Sequence, residues 1–235
     1  MDTAPLDAAA IAAGLGTREV PRTIRCHGTV GSTMDLAREL LVQLADDQLP
    51  ALVVADEQTA GRGRMGRPWV APAGSALLAS LALRPRWLAP HESVALVWLA
   101  AVALCEAVED VTPLRPVLKW PNDLLVAADG GSDAGAIPAL SHNQAPPAPA
   151  DQHPRATAQG LAWAKAAGIL LEMTLGAGGI EAAIIGCGVN VSAAPPPEAT
   201  RYPATSLAAA AGAPVSRLAL LRALLRRADA WHASL

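Results

Sequence analysis

The sequence has no phenylalanine and a single tyrosine, so any core must be built from Leu, Val, Ile, Ala and the six tryptophans. Charge is sparse too. Only 17% of residues are charged against 52% hydrophobic, which excludes wholesale disorder, a state that goes with low hydrophobicity and high net charge. A formal net charge of −3 excludes a protein that wraps nucleic acid non-specifically, because such affinity comes mainly from Lys and Arg neutralising phosphates. The three cysteines, Cys26, Cys105 and Cys187, are odd in number and have no paired spacing, so neither a disulfide framework nor a zinc site is indicated. The first 20 residues carry acid where a signal peptide needs positive charge, and Gly14 and Gly16 break their apolar run. The longest apolar run, 94–105, falls short of the roughly 20 residues a membrane helix needs. A soluble, cytoplasmic protein without a membrane partner is expected, and 235 residues suffice for one large domain with or without a small appendage.

What is present orders the chain. Ser32 or Thr33 is placed to cap a helix carrying Leu36, Leu40 and Leu44 at four-residue intervals. Apolar runs predict strands over 51–55, 75–83, 117–119, 124–127, 166–175 and 182–191, the last two joined by a glycine turn at 176–179. Residues 90–110 are long and apolar, which predicts a buried helix. Residues 216–235 predict an amphipathic helix with Leu218, Leu221, Leu225 and Trp231 near one face and Arg222 and Arg226 near the other. Between 129 and 160 the periodicity collapses among Pro138, Pro146, Pro147, Pro149 and Pro154, and a disordered insertion is expected. The stretch 193–203 reads as a surface loop.

Four strings could carry chemistry. Gly61-Arg62-Gly63-Arg64-Met65-Gly66-Arg67-Pro68-Trp69 satisfies G-x-G-x-x-G, but a dinucleotide fingerprint needs a helix at once and an acid about 20 positions on. Pro68 blocks the helix and 81–86 supplies no acid. What remains is a Gly/Arg loop able to approach and neutralise an anion, or a solvated basic loop that binds nothing. In Lys119-Trp120-Pro121-Asn122-Asp123, a lysine ending an apolar strand points its ammonium toward a cleft, or the string is a plain turn. Lys165 precedes a strand in which Gly168 lets a ligand near the backbone, and Gly186-Cys187-Gly188-Val189-Asn190 ends another; glycine in a strand also marks a simple bulge.

In this order, the strings resemble the biotin protein ligases, also called biotin–[acetyl-CoA-carboxylase] ligases. The resemblance runs from about Thr29 to Trp231 and rests on Gly31-Ser32-Thr33, the 58–69 loop, 119–123, 165–172, 185–190 and Ala204-Thr205-Ser206-Leu207. It implies an α+β fold, a mixed and mostly antiparallel sheet flanked by helices as in the class II aminoacyl-tRNA synthetase-like biotin/lipoate ligase domain. It also implies a two-step reaction. Biotin and ATP give biotinyl-5′-AMP, and a lysine of a biotin carboxyl carrier domain then takes the biotin. Lipoate and octanoyl transferases share the scaffold with a different loop, and a non-catalytic biotin-binding or carrier-docking module is a further alternative.

By the same resemblance, Lys119, Arg62, Arg64 and Lys165 carry the chemistry, and Lys119→Ala is expected to abolish it. Ser32, Thr33, Gln58, Arg62, Gly63, Arg64, Lys165 and Gly168 hold biotin. Arg64, Arg67, Trp69, Lys119, Asn122 and Asn190 hold the nucleotide. Asp123 positions Mg2+ or the incoming lysine. Residues 1–28 are an extension without a DNA-binding domain, so no DNA partner is expected, and a homodimer is compatible with the family. Residues 29–235 form the catalytic domain. Two departures stand out: Met34 occupies a position where the family usually has Asn, and the chain stops at Leu235, where the family continues into a small β-barrel. The insertion need not harm a site between Asp123 and Lys165, because loop closure cost rises only logarithmically with length.

Overall fold

The computed structural model describes residues 4–128, 163–176, 178–200 and 203–233, so the insertion expected at 129–160 lies outside the described residues. In chain order the helices and strands are α1 (Ala8–Ala12), β1 (Thr23–Val30), α2 (Thr33–Gln43), β2 (Ala51–Gln58), β3 (Ala76–Leu83), α3 (Val94–Val111), β4 (Val117–Lys119), β5 (Asp123–Ala127), β6 (Trp163–Gly176), β7 (Gly179–Asn190), α4 (Leu207–Ala211) and α5 (Arg217–His232). The seven strands form one sheet in the order β1-β2-β3-β7-β6-β5-β4. Only β1 and β2, joined through α2, run parallel; every other pair is antiparallel. The fold is the mixed, mostly antiparallel sheet that the resemblance implies.

Alternation along the strands divides the sheet into two faces. One face presents Leu52, Val54, Leu77, Ile185 and Val189 to a single apolar cluster shared with Leu99, Leu104, Leu221 and Leu225 of α3 and α5. Burying this face supplies most of the driving force for folding, at roughly 25 cal/mol per Å² of apolar area. On the other face, α2 lays Met34, Ala37 and Leu41 over Ala51, Val53, Ala82 and Ile184. Among the described residues, this helix covers one end of that face and leaves the other open.

Local chemistry explains the boundaries. Ser32 caps α2 by accepting from the Met34 amide at 3.3 Å. Ser206 and Ser216 cap α4 and α5 in the same way. Gly212 takes the left-handed φ of 64° that ends α4. In α5 the faces differ from expectation. Leu220, Leu221, Leu224 and Leu225 are buried, whereas Trp231 is exposed and its indole N–H donates to Glu106. Arg217, at the first turn, is buried against Asp56 at 2.9 Å. No helix among the described residues is long and apolar enough to cross a membrane.

Candidate functional site

The open sheet face carries a trough made by missing side chains. Lys119, Asp123, Gly168, Gly188 and Leu78 are successive register partners across β4, β5, β6, β7 and β3. Two residues further along, Leu170, Gly186 and Ser80 form a parallel row on the same face. The glycines are needed for contact, not for turning. A methyl at Gly188 would stand 2.7 Å from the Trp69 ring, one at Gly186 would stand 2.9 Å from Met34 Sδ, and one at Gly168 would stand 3.2 Å from Lys165 Nζ.

Trp69 reaches the trough from the Gly/Arg loop, which folds back on itself. Trp69 N donates to Gly61 O at 2.9 Å and Gly63 N donates to Arg67 O at 2.7 Å. A side chain at Gly61 would come within 2.5 Å of the Trp69 carbonyl, so the neck of the loop requires glycine. No helix follows, in keeping with the exclusion of a dinucleotide fingerprint.

Trp69 lines two cavities. The smaller, of about 60 Å³, is lined by Ser32, Thr33, Met34, Gln58, Ser80, Ile169, Leu170, Gly186 and Cys187. The larger, of about 470 Å³, is lined by Met65, Arg67, Val70, Asp123, Asn190, Pro195 and Thr200. Gly63, Arg64, Trp69, Asn122 and Lys165 line both, so the two spaces meet at these residues.

The smaller cavity is polar at one end. Thr33 donates twice to Gln58 Oε1, from its amide at 2.7 Å and from its hydroxyl at 2.9 Å. Thr33 Oγ1 also lies 2.8 Å from Ser80 Oγ, and with its own proton committed to Gln58 it accepts from the serine. The amide oxygen of Gln58 is thereby occupied, and toward a ligand this residue acts as a donor. Cys187, between the two trough glycines, turns its side chain to the apolar cluster under α3 and α5; burial pushes its thiol up to about 12, so it stays protonated.

At the junction, Lys165 Nζ lies 2.6 Å from Asp123 Oδ1 and 5.8 Å from the Trp69 ring centroid, within cation–π range. The backbone of Lys165 is gripped by 203–205: its amide donates to Pro203 O at 2.8 Å and its carbonyl accepts from Thr205 N at 3.0 Å. Arg64 Nη1 donates to Asn122 Oδ1 at 3.3 Å, and Asn122 Nδ2 donates to Ile169 O at 3.0 Å. Asn190 is buried. Its Nδ2 donates to Thr205 O at 3.2 Å, while its Oδ1 has no partner among the described residues. The buried indole N–H of Trp69 likewise has no partner among the described residues.

All sequence-indicated site residues except Lys119 line one or both cavities. Lys119 sits on the edge strand β4, half-buried, one strand beyond Asp123 in the same row. Arg62 reaches the smaller cavity, but its guanidinium is forked onto Asp35 at 2.8 and 2.7 Å. Sequence reasoning missed Asp35, Ser80 and the contact roles of Gly186 and Gly188. Ser80 had left a trace as the lone polar residue in Ala76–Leu83. The 193–203 segment, expected to be an ordinary surface loop, contributes Pro195, Ala199 and Thr200 to the larger cavity.

The model of the biotin/lipoate A/B protein ligase family matches residues 29–190, more than half of the chain and the whole of this site but for the 195–204 rim. The chain belongs to that family. Family relatives include the bifunctional ligase/repressor BirA of Bacillus subtilis, 32% identical over 216 residues, a match covering 90% of this chain and 54% of the relative. The biotin–[acetyl-CoA-carboxylase] ligase of Paracoccus denitrificans is 35% identical over 147 residues, 62% of this chain and 46% of the relative. This family member therefore spans about half the length of the curated relatives it matches. Among solved structures, the biotin protein ligase of Leishmania major in complex with biotinyl-5-AMP superposes with a TM-score of 0.63 at 22% identity, covering 91% of this chain and 76% of that one, a likeness of fold.

Proposed function

We propose that this chain activates biotin with ATP and transfers it to a lysine of a biotin carboxyl carrier domain. The observation that carries the reading is the meeting of a small polar-ended cavity and a large cation-rimmed one at Lys165. A carboxylate entering from the first space and an α-phosphate entering from the second would face each other there. The carboxylate oxygen attacks the α-phosphorus, the bond to pyrophosphate breaks, and biotinyl-5′-AMP results. The carrier lysine's amine then attacks the acyl carbon, the C–O bond breaks, AMP leaves, and the amine loses a proton.

Both steps crowd negative charge, so preorganised positive charge is the main requirement. Lys165 supplies it at the reacting atoms, exchanging its partner Asp123 for the substrate's carboxylate and phosphate. Arg64 and Arg67 flank the phosphate side, and Lys119 adds charge from the edge strand. Thr33, Gln58 and Ser80 suit a ureido ring, whose donors and acceptors must each find a partner in a small pocket. A dithiolane ring or an alkyl chain would offer the Gln58 amide N–H groups no acceptor, which favours biotin over lipoate or octanoate. The unpartnered Oδ1 of Asn190 is an acceptor suited to an exocyclic amine of the base, and Trp69 covers the junction against water, which the mixed anhydride does not tolerate.

No group of three or more potential metal ligands occurs among the described residues. Asp123 offers one carboxylate at the larger cavity, which fits Mg2+ held mainly by a nucleotide's own phosphates. Bound there, the ion would offset phosphate charge. The test is exchange of labelled pyrophosphate into ATP. Exchange that depends on biotin and not on lipoate or octanoate is expected; its absence from folded protein would overturn the reading.

A further inference from the structure

Arg62 was expected to neutralise substrate, yet its guanidinium is already committed. Both Nη atoms donate to the two oxygens of Asp35 in the first turn of α2, at 2.8 and 2.7 Å. Arg38, one turn on, donates to the same carboxylate at 2.7 Å and also pairs with Glu172 of β6. Glu172 in turn lies 4.0 Å from Arg62. Two guanidiniums and two carboxylates thus alternate around a ring that joins the Gly/Arg loop, α2 and β6. The Gly63–Arg67 and Trp69–Gly61 hydrogen bonds shape the loop internally and do not tie it to the body. The Arg64–Asn122 contact is long, at 3.3 Å.

We propose that Asp35 is a positioning residue that latches the Gly/Arg loop, through Arg62, over the smaller cavity. Arg62 then acts as a tie and not as a phosphate ligand, and the site's mobile positive charge comes from Arg64, Arg67 and Lys165. Asp35 lies two residues after Thr33, whose hydroxyl anchors Gln58, so the helix end that shapes the cavity floor also fixes its cover. An isolated exposed ion pair contributes little, but a bidentate pair inside a network is the exception. The catalytic consequence rests on the ligase reading; the latch itself does not.

The experiment uses the full chain, with trypsin cleavage after the exposed Arg64 as the measure of loop opening. Asp35→Asn is expected to speed that cleavage about tenfold in the ligand-free protein, equivalent to losing roughly 1.4 kcal/mol of closure. In pyrophosphate exchange the same variant should raise the KM for biotin by about tenfold while kcat changes less than threefold, since a lost tie weakens binding more than the chemical step. Asp35→Glu, which keeps the charge, should restore both values most of the way. Glu172→Gln removes the second carboxylate without touching the α2 cap and should shift cleavage the same way by a smaller factor. It reads the latch even if Asp35→Asn folds poorly. Cleavage and KM both unchanged in Asp35→Asn and Glu172→Gln would overturn the proposal. If the wild-type chain shows no exchange, the ligase reading fails, and the ligand-free cleavage rates still decide the latch.

Discussion

The smaller cavity is walled by side chains that already bond one another, whereas the larger is rimmed by exposed groups with few mutual contacts. Ser80 of β3, Thr33 at the start of α2 and half-buried Gln58 at the end of β2 form a hydrogen-bond chain. Arg67, Met65 and Val70 stand exposed on a loop, and Pro195 and Thr200 sit on another. The first arrangement loses little entropy when a ligand arrives and can reject a near-isostere by leaving its own groups unpaired. The second has ordering still to do, which suits a polyanion whose own charge gathers the arginines. Under the proposed function, selectivity belongs to the small space and charge handling to the large one, with Lys165 shared.

That contrast can be broken at its joint. Replacing Lys165 with alanine removes the one ammonium that reaches both spaces, and exchange should fall by on the order of 10²–10³ or more, the usual cost of losing a transition-state donor. Gly188→Ala attacks the wall between the spaces. The new methyl would stand 2.7 Å from a rigid indole, so Trp69 must leave the sheet; stability should drop by about 1–3 kcal/mol in denaturant titration, with exchange falling alongside it. Gly186→Ala faces the flexible end of Met34 at 2.9 Å and should cost less.

Thr33→Val acts on the small space alone. Gln58 keeps the bond from the residue 33 amide, but Ser80 loses its acceptor and the cavity loses a hydroxyl, and the KM for biotin should rise by roughly tenfold with the KM for ATP unchanged, from about 1–3 kcal/mol for the unsatisfied group. Lys119→Ala, expected from the sequence alone to abolish activity, should instead lower exchange less than Lys165→Ala, because Lys119 lines neither cavity. Acid should act last and least. The Arg62 guanidinium, followed by Arg38, overcomes some desolvation to hold the Asp35 carboxyl at about 2 against an ordinary 3.8. A lowered folded pKa gives a contribution present above 3.8 and lost as pH falls through about 2, so loop amide hydrogen exchange should show no latch-dependent change between pH 8 and 5.

Much of this was legible in the sequence, for physical reasons. Strands buried on both faces, such as Ala76–Leu83, announce themselves as continuous apolar runs. β1 did not, because Thr23–Val30 is an edge strand whose burial alternates poorly and whose residues are mostly polar. The α2 repeat of Leu36, Leu40 and Leu44 identified the helix but not its buried face, which is set by Met34, Ala37 and Leu41. Met34, where the resemblance led one to expect Asn, fills the space that Gly186 leaves. Cavity-lining residues within unusual strings were legible as candidates; Asp35 was not, because an acid in a helix's first turn is common and its partner lies 27 residues away.

Formation of the intermediate tests the central claim most directly. The full chain is mixed with biotin and ATP in the absence of carrier, and the products are separated by chromatography and weighed by mass spectrometry. A biotin–AMP conjugate should accumulate to about one per chain in the wild type, and Lys165→Ala should yield none at the same time point. A folded wild-type chain that binds biotin and ATP yet forms no conjugate, or a Lys165→Ala variant that forms it at the wild-type rate, would contradict the joining of the two cavities into one acyl-adenylating site.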